Sequence, residues 1–469
     1  MWLINGDTNS KNFHSSLRWQ RVKNEICGLR INGVWCEEPN RVKSHIKSFF
    51  ECRFEATPGL KLNLDGVEFK TISRADNDIL CSSIFESEIL EAVSQCGNSK
   101  CPEPYGYNFF FIKNNWDVIG KDIVRAILWF QDIGFIPRGC NASFIALVPK
   151  KANPSNLNEF RPISLVGCVY KILSKVLANR LKKVLSSVID FNQSAFLEGR
   201  GLLESVLVAN EMVDYLMKAK KSGVFVKVDF EKAYDSVDWK FLYYMMGRLG
   251  FNCKWIRWIR ACLELATVSV LVNGSPTEEF KPKRRLRQGD LLALFLFLIV
   301  VEGLIGLVRE AKRVNAFSGV VVGNGSVKVD LLQFTDDTLF FCEPSYQNVL
   351  AVKAILRSFE LVLRLRVNVH KSVVRAVGIP QLDKCVYSKC LNCRQMDLPF
   401  KYLGITIGGN PRRIAFWDPI VDKIKSRLSR WKGRLLYLAG RMCLIKSVIT
   451  TLPLFISLSL KHQLLSLTK

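Results

Sequence analysis

The chain of 469 residues contains no Gly-x-x-x-x-Gly-Lys-[Ser/Thr] loop, and its Gly323-Asn324-Gly325 run lacks the third glycine of a dinucleotide fingerprint. P-loop and Rossmann phosphate chemistry are excluded, because both need a glycine-built cradle of backbone N–H groups. Negative charge is also short: 42 Asp and Glu stand against 67 Lys and Arg, a formal balance of +25. No Ser/Gly/Pro tract or internal repeat interrupts the sequence, and 49% hydrophobic residues are the composition of a folded protein, not of a tail. The 15 cysteines show no paired framework, and Met1-Trp2-Leu3-Ile4-Asn5-Gly6-Asp7 lacks the charged and apolar regions of a signal peptide. Reduced thiols in nucleus or cytoplasm, without secretion, are expected. Cys385, Cys390 and Cys393 are spaced like part of a zinc cluster, but no fourth Cys or His lies at ligand spacing beside them, which favours ordinary thiols.

What is present points to a polyanion. Each Lys or Arg that neutralises a phosphate releases counterions, so a basic excess spread along the chain suits nucleic acid; a generally basic soluble protein is the alternative. The length exceeds what one core usually supports, so several packed subdomains are expected. Residues 291–308 are almost wholly apolar and long enough to span a bilayer, yet Glu302 sits inside them and Arg287-Gln288-Gly289-Asp290 abuts them. That pattern predicts a buried core helix and no membrane partner.

Residues 1–85 are polar, basic and aromatic, with Trp2, Phe13, Trp19 and Trp35 among Arg18, Arg21, Lys23 and Arg30. They are expected to form a helical N-terminal extension whose aromatics either stack on nucleic acid or anchor helices to the core. Apolar residues recur at three and four positions from Ile172 to Val188 and again from Leu203 to Met217, which predicts two amphipathic helices. Lys218, Lys220, Lys221 and Gly223 close the second. Residues 224–230 alternate as a strand with Asp229 near its end, and residues 331–341 read as a hairpin with Asp336 and Asp337 at its tip. Near the C-terminus Ile420, Ile424, Leu428, Trp431 and Leu435 form one helical face among lysines and arginines; a membrane surface, solvent and a phosphate backbone all remain open to it.

Two adjacent carboxylates with a third on a separate strand resist ionising together unless a cation compensates them. Mg²⁺ takes such oxygen ligands, and two ions roughly 3.5–4 Å apart can activate a hydroxyl and stabilise a leaving pyrophosphate. Asp229, Asp336 and Asp337 are the candidate ligands; the competing reading makes the Asp-Asp pair a solvated turn former.

Phe160-Arg161-Pro162-Ile163-Ser164-Leu165, Val228-Asp229-Phe230-Glu231-Lys232-Ala233-Tyr234-Asp235, Arg287-Gln288-Gly289-Asp290, Phe334-Thr335-Asp336-Asp337, Asn368-Val369-His370-Lys371-Ser372 and Tyr402-Leu403-Gly404 occur in this order. The series resembles the motifs of plant LINE-type (non-LTR) retrotransposon reverse transcriptases, over nearly the whole chain. The resemblance implies an α+β right-hand polymerase of fingers, palm and thumb, with the extension over 1–85, fingers and palm over 86–408, and the start of a helical thumb over 409–469. It implies RNA-directed DNA polymerase activity on an RNA template, a DNA primer and dNTPs, with two Mg²⁺ ions, or Mn²⁺, on Asp229, Asp336 and Asp337. Catalytically inactive nucleic-acid binding is the alternative. By the same likeness Lys150 and Arg161 hold the triphosphate, Phe230 and Tyr234 lie at the substrate with Tyr234 excluding a 2′-hydroxyl, and Gln288 contacts the nucleotide. Lys371 protonates the leaving pyrophosphate, and Tyr402, Leu403 and Gly404 form a primer grip. Tyr234 and Tyr402 could equally be packing residues, Lys371 a solvated lysine and Asp290 a helix cap. An endonuclease domain before this region, and zinc-binding or RNase H segments after it, are not part of the sequence given.

The chain departs from the family pattern around Gln288. Where the family reads Gly-Leu-Arg-Gln-Gly-Asp-Pro-Leu-Ser-Pro, this sequence runs from Arg285 to Leu294 with Arg285, Leu291, Ala293 and Leu294 replacing glycine, proline, serine and proline. The stretch from Lys100 to Gly106 carries three substitutions, and Arg364 stands where glycine is usual. If those glycines serve positive φ, arginine there adds strain. Loss of the prolines is expected to shift the start of the following helix and move Gln288.

Overall fold

The computed structural model of the chain describes residues 24–56, 63–98, 106–323, 327–363 and 365–409, with the single positions 18, 418 and 422. The helix expected after Ile420, the stretch 100–105, Arg364, Trp2, Phe13 and Trp19 lie outside the described residues. The first described elements correct one expectation, because part of the N-terminal extension is not helical. Leu29–Ile31 (β1) and Val34–Cys36 (β2) pair antiparallel around Asn32-Gly33, whose φ values of 51° and 84° are those of a two-residue I′ turn. The helix Pro39–Arg53 (α1) follows, with Val42, Ile46 and Phe50 buried at a spacing of four.

Next in the chain come the strands Ala142–Pro149 (β3) and Phe160–Val166 (β4), the helices Cys168–Val188 (α2) and Leu202–Lys218 (α3), and the strand Gly223–Val228 (β5). Thr267–Val272 (β6) and Ser275–Pro276 (β7) precede the long helix Leu291–Arg313 (α4). Leu331–Phe334 (β8), Asp337–Cys342 (β9), Val373–Val377 (β10), Arg394–Gln395 (β11), Phe400–Tyr402 (β12) and Ile405–Ile407 (β13) complete the strands that matter here.

Two sheets organise these elements. One has the order β4-β3-β6-β7, with β3 antiparallel to β4 and parallel to β6. The apolar face of α1 packs on it, through Ile145, Leu147, Phe160, Val268, Val270 and Phe280. The extension therefore shares a core with the sheet and does not stand apart. The other sheet has the order β8-β9-β5-β10-β11. Val224, Val226 and Val228 of β5 face a core that includes residues of α2 and α4, while Phe225 joins Leu339, Phe341 and residues of α3 on the opposite side. A strand covered on both faces reads as a nearly unbroken apolar run, as this one does.

Both amphipathic helices form where the periodicity predicts them. The second ends at Lys218, and the positive φ that releases the chain falls on Lys220 (51°), not on Gly223, which starts β5. Residues 291–308 form most of α4, whose apolar window is largely buried in the core. Asp290 caps α4, its Oδ1 accepting the Leu292 amide at 3.1 Å, so the helix begins at Leu291 without either proline. Leu291 thus takes the first helical position, where a proline is tolerated.

Glu302 lies inside α4 with its carboxylate accepting the Asp190 amide at 3.1 Å and Arg309 3.7 Å away. Burial pushes this carboxyl up to about 8, with the neighbouring Asp190 charge adding and the Asp190 amide and Arg309 opposing. The folded chain therefore keeps a proton that the unfolded chain releases above about 4.5, and stability falls as pH rises between these values. Glu302→Gln keeps an oxygen for the Asp190 amide and removes the titration. Thermal melts at about pH 5 and about pH 9 should show the variant losing less stability than the parent, by on the order of a few kcal/mol. Parallel pH profiles for the two proteins would refute this.

Candidate active site

Antiparallel pairing brings the acids together. The ladder between β5 and β9 ends at Val228 opposite Thr338, and one further step sets Asp229 across from Asp337. The β8–β9 hairpin closes at Phe334 opposite Asp337, leaving Thr335-Asp336 as a two-residue turn. Asp336 thus sits in the turn and Asp337 heads β9, as the alternating pattern predicts. Thr335 has φ 56°, an unusual conformation for a β-branched residue. Its hydroxyl lies 2.6 Å from the Phe334 carbonyl and 2.9 Å from Asp336 Oδ1, sharing one proton between them.

Asp229 is held from the other side by the segment after residue 367. Its amide donates to Ser372 Oγ at 3.1 Å, its carbonyl accepts the Asn368 amide at 2.8 Å, and Lys371 Nζ stands 3.8 Å from its carboxylate. Burial raises the Asp229 carboxyl above its ordinary range, with Lys371 opposing and the Asp336 charge adding. Asp337 is raised by burial and then by Asp336. The three carboxylates therefore share one electrostatic environment. Among the described residues no three His, Cys, Asp or Glu side chains are drawn close enough to form a finished metal cage. The donor set nevertheless fits a hard divalent cation, being all oxygen, partly desolvated and mutually repelling in a way positive charge would relieve. Cys385, Cys390 and Cys393 go elsewhere: Cys385 Sγ accepts from Gln395, Cys393 Sγ donates to the Leu391 carbonyl, and Cys390 packs on the core.

A group of cations lies beside the acids. Lys150 follows β3 and Arg161 lies on β4, with Val148 opposite Arg161. Burial lowers the Lys150 ammonium, and the charges of Arg53, Lys371 and Arg161 lower it further. Arg53, at the end of α1, forms an ion pair with Asp235 at 2.5 Å, and both side chains are largely buried. Nothing in the sequence singled out Arg53, since its partner is 182 positions away.

The remaining candidates divide. The Tyr234 ring stacks on Phe297 with centroids 4.6 Å apart, and its hydroxyl is raised by burial and then by Asp336, which sets the ring between α4 and the acid turn. Gln288 is half-buried, its carbonyl accepting the Ser164 amide of β4 at 2.9 Å. The Phe230 ring is buried against Phe359, so only its backbone is left to face a substrate. Tyr402, Leu403 and Gly404 form the β12–β13 hairpin, with positive φ at Leu403 (50°) and Gly404 (81°). The Tyr402 ring is fully buried in the core under α3 and its hydroxyl has no partner, with Asp337 adding to the burial that raises it. Packing thus accounts for the ring of Tyr402, while Gly404 is exposed.

A family profile described as "Reverse transcriptase (RNA-dependent DNA polymerase)" matches residues 148–407, more than half the chain and every strand and turn that carries the acids. The chain belongs to the reverse transcriptase family. Its relatives place it among those of non-LTR retrotransposons. It is 24% identical over 458 residues to the "Transposon TX1 uncharacterized 149 kDa protein" of Xenopus laevis, covering 96% of this chain and 34% of that protein. The "Retrovirus-related Pol polyprotein from type-2 retrotransposable element R2DM" of Drosophila melanogaster is 24% identical over 62% of this chain and 27% of its own length. The "RNA-directed DNA polymerase from mobile element jockey" of the same fly is 26% identical over 175 residues, 36% of this chain and 19% of that protein. The chain thus spans about a third, or less, of the length of these relatives.

For a reverse transcriptase sequence the six motifs show where chemistry lies but not what supports it. Asn368 and Ser372 were visible as motif members, while their hold on Asp229 was not. Gln193, fully buried beside the acid turn, carried no sequence signal at all. Arg285 does carry one: it stands where glycine is usual and has φ 106°.

Proposed function

We propose that this chain is the polymerase core of a non-LTR element, extending a DNA primer with dNTPs on an RNA template. The observation that carries the reading is the Asp229–Asp337 facing across β5 and β9, with Asp336 in the adjoining turn. Two Mg²⁺ ions, or Mn²⁺, would be held by Asp229, Asp336 and Asp337 and would supply activation of the primer hydroxyl and charge neutralisation at the pyrophosphate. Lys150 and Arg161 take the triphosphate, Arg161 offering a forked cation for phosphate oxygens. Tyr234 limits the room at the sugar, Gln288 contacts the nucleotide, and Lys371 delivers a proton to the leaving pyrophosphate. The four-stranded sheet then corresponds to fingers, the five-stranded sheet to palm and Tyr402, Leu403 and Gly404 to the primer grip, in the partition 1–85, 86–408 and 409–469 with a thumb in the last. Nucleus or cytoplasm would be the place of work, and a plant element the source.

Primer extension on an RNA template with Mg²⁺ and dNTPs tests the reading. Extension supports it; binding of template and primer without extension favours the second reading, an inactive nucleic-acid-binding remnant. That second reading has its own support in Arg285, which is buried with positive φ and two guanidinium nitrogens that find no partner. Under either reading, affinity for an RNA–DNA hybrid should fall steeply with salt. With about six phosphate contacts the loss between roughly 50 and 200 mM salt is on the order of a thousandfold, measured by fluorescence anisotropy. A flat salt profile would remove the polyanion from both readings.

A further inference from the structure

The turn that carries Asp336 is gripped from behind by a segment that belongs to none of the six motifs. Residues 192–194 run beside β8: the Gln333 amide donates to the Asn192 carbonyl at 2.8 Å, and the Ser194 amide donates to the Gln333 carbonyl at 3.0 Å. Between them the side chain of Gln193 reaches the turn. Its Oε1 accepts the Thr335 amide at 3.0 Å and the Ala195 amide at 3.1 Å, and its Nε2 donates toward the Thr335 carbonyl at 3.5 Å. One fully buried carboxamide thus holds both backbone groups of the residue whose positive φ sets the direction of Asp336.

The segment is itself anchored. Arg200 donates to the carbonyls of Gln193 at 2.8 Å and Ile189 at 2.9 Å, and its guanidinium lies 4.8 Å from the centre of the Phe191 ring. Glu302 of α4 holds the Asp190 amide. These contacts fix Gln193 from positions distant from the acids in the sequence. A left-handed conformation at a β-branched residue costs about 1–3 kcal/mol and persists only where its surroundings impose it. A two-point amide clamp is such an imposition.

We propose that Gln193 is a positioning residue for catalysis, holding Thr335 in the left-handed conformation so that Asp336 and Asp337 present their carboxylates toward Asp229. This rests on the polymerase reading for its kinetic consequence, but not for its binding consequence. Gln193→Met keeps the side-chain length and removes both hydrogen-bonding groups. Thr335→Asn, introduced into that background, places in the turn a residue that adopts positive φ more readily.

The test compares the parent, Gln193→Met and Gln193→Met/Thr335→Asn by Mn²⁺ titration of the primer–template complex, by single-turnover extension and by thermal denaturation. Expected are a Mn²⁺ dissociation constant about tenfold weaker and extension about a hundredfold slower in Gln193→Met, with hybrid affinity unchanged, and partial recovery of both in the double variant. A residue that only fills the core would alter melting temperature without moving the Mn²⁺ constant, and Thr335→Asn would not rescue it. Unchanged Mn²⁺ affinity in a folded Gln193→Met protein, or no recovery in the double variant, overturns the proposal. If Gln193→Met does not fold, Gln193→Glu takes its place, since it retains the acceptor for two amides and sets a carboxylate oxygen against the Thr335 carbonyl where the donor was; Mn²⁺ binding equal to the parent would then count against the clamp's donor arm and the two-point grip with it. Should the parent bind Mn²⁺ yet extend nothing, the polymerase reading fails, while the Mn²⁺ comparison still decides the clamp.

Discussion

Asp336→Asn should reduce primer extension by about a thousandfold or more while leaving hybrid affinity and the fold intact. The substitution removes a charge and almost no volume. The carboxamide oxygen of the new side chain can still accept from Thr335, so the turn keeps the 2.9 Å contact seen with aspartate. That contact is local to the turn, which limits the structural cost. Removing the charge should even stabilise the protein slightly, because Asp336 is one of the groups that push up the carboxyls of Asp229 and Asp337. The expected signature is therefore lost extension with an unchanged or slightly raised melting temperature. A structural turn former would behave differently, losing stability in proportion to activity. Retained extension in Asp336→Asn would remove this acid from the chemistry.

The legibility of the site in the sequence follows the range of the interactions involved. β5 and the β8–β9 hairpin are written locally, in apolar alternation that ends at Asp229 and breaks at Thr335-Asp336, so the meeting of the acids could be anticipated. The β1–β2 hairpin was equally local. Asn32-Gly33 announces an I′ turn, as does Asn273-Gly274 between β6 and β7 with φ 50° and 86°, but the aromatic and basic composition around the first of these suggested helix. Gln193 belongs to another class. Its amide partner is 142 positions away in Thr335 and joins it through an isolated bridge, Gln193 with Gln333, that leaves no periodic trace. The Arg53–Asp235 pair is hidden for the same reason. Asp290 was legible as a cap because capping is local, and that cap starts α4 at Leu291 without a proline.

Of the departures around Gln288, the one with a positive φ and buried unpaired donors is Arg285, and Arg285→Gly should raise both stability and extension. Arg285 has φ 106° and is almost fully buried. Its Nη2 donates to Ser164 Oγ at 2.6 Å and its guanidinium lies 4.3 Å from the Phe54 ring centre, but Nε and Nη1 are buried without partners. Burial lowers its guanidinium to about 10, Asp235 opposing. Strain at a non-glycine residue costs about 1–3 kcal/mol, and each buried unpaired donor about as much again. Against these stand the lost Ser164 bond, the stacking on Phe54 and a cavity where the side chain was, together a few kcal/mol. Asp235 keeps Arg53 as its partner, so no carboxylate is orphaned. The balance favours glycine by about 1–3 kcal/mol, measured by denaturant unfolding. Arg285→Ala separates the causes, since it removes the buried charge but keeps the strain; if strain dominates, only glycine stabilises. Arg285 and Gln288 lie three positions apart on one loop whose carbonyls hold Trp239 Nε1 at 2.7 Å and the Ser164 amide at 2.9 Å, so relief at the first is transmitted to the second. A displacement of about 1 Å at a positioning residue can cost on the order of a hundredfold in rate, and recovery of that size is the expected gain. An Arg285→Gly protein no more stable than the parent and no faster in extension would show that the arginine has been fully accommodated and that any loss of activity has another origin.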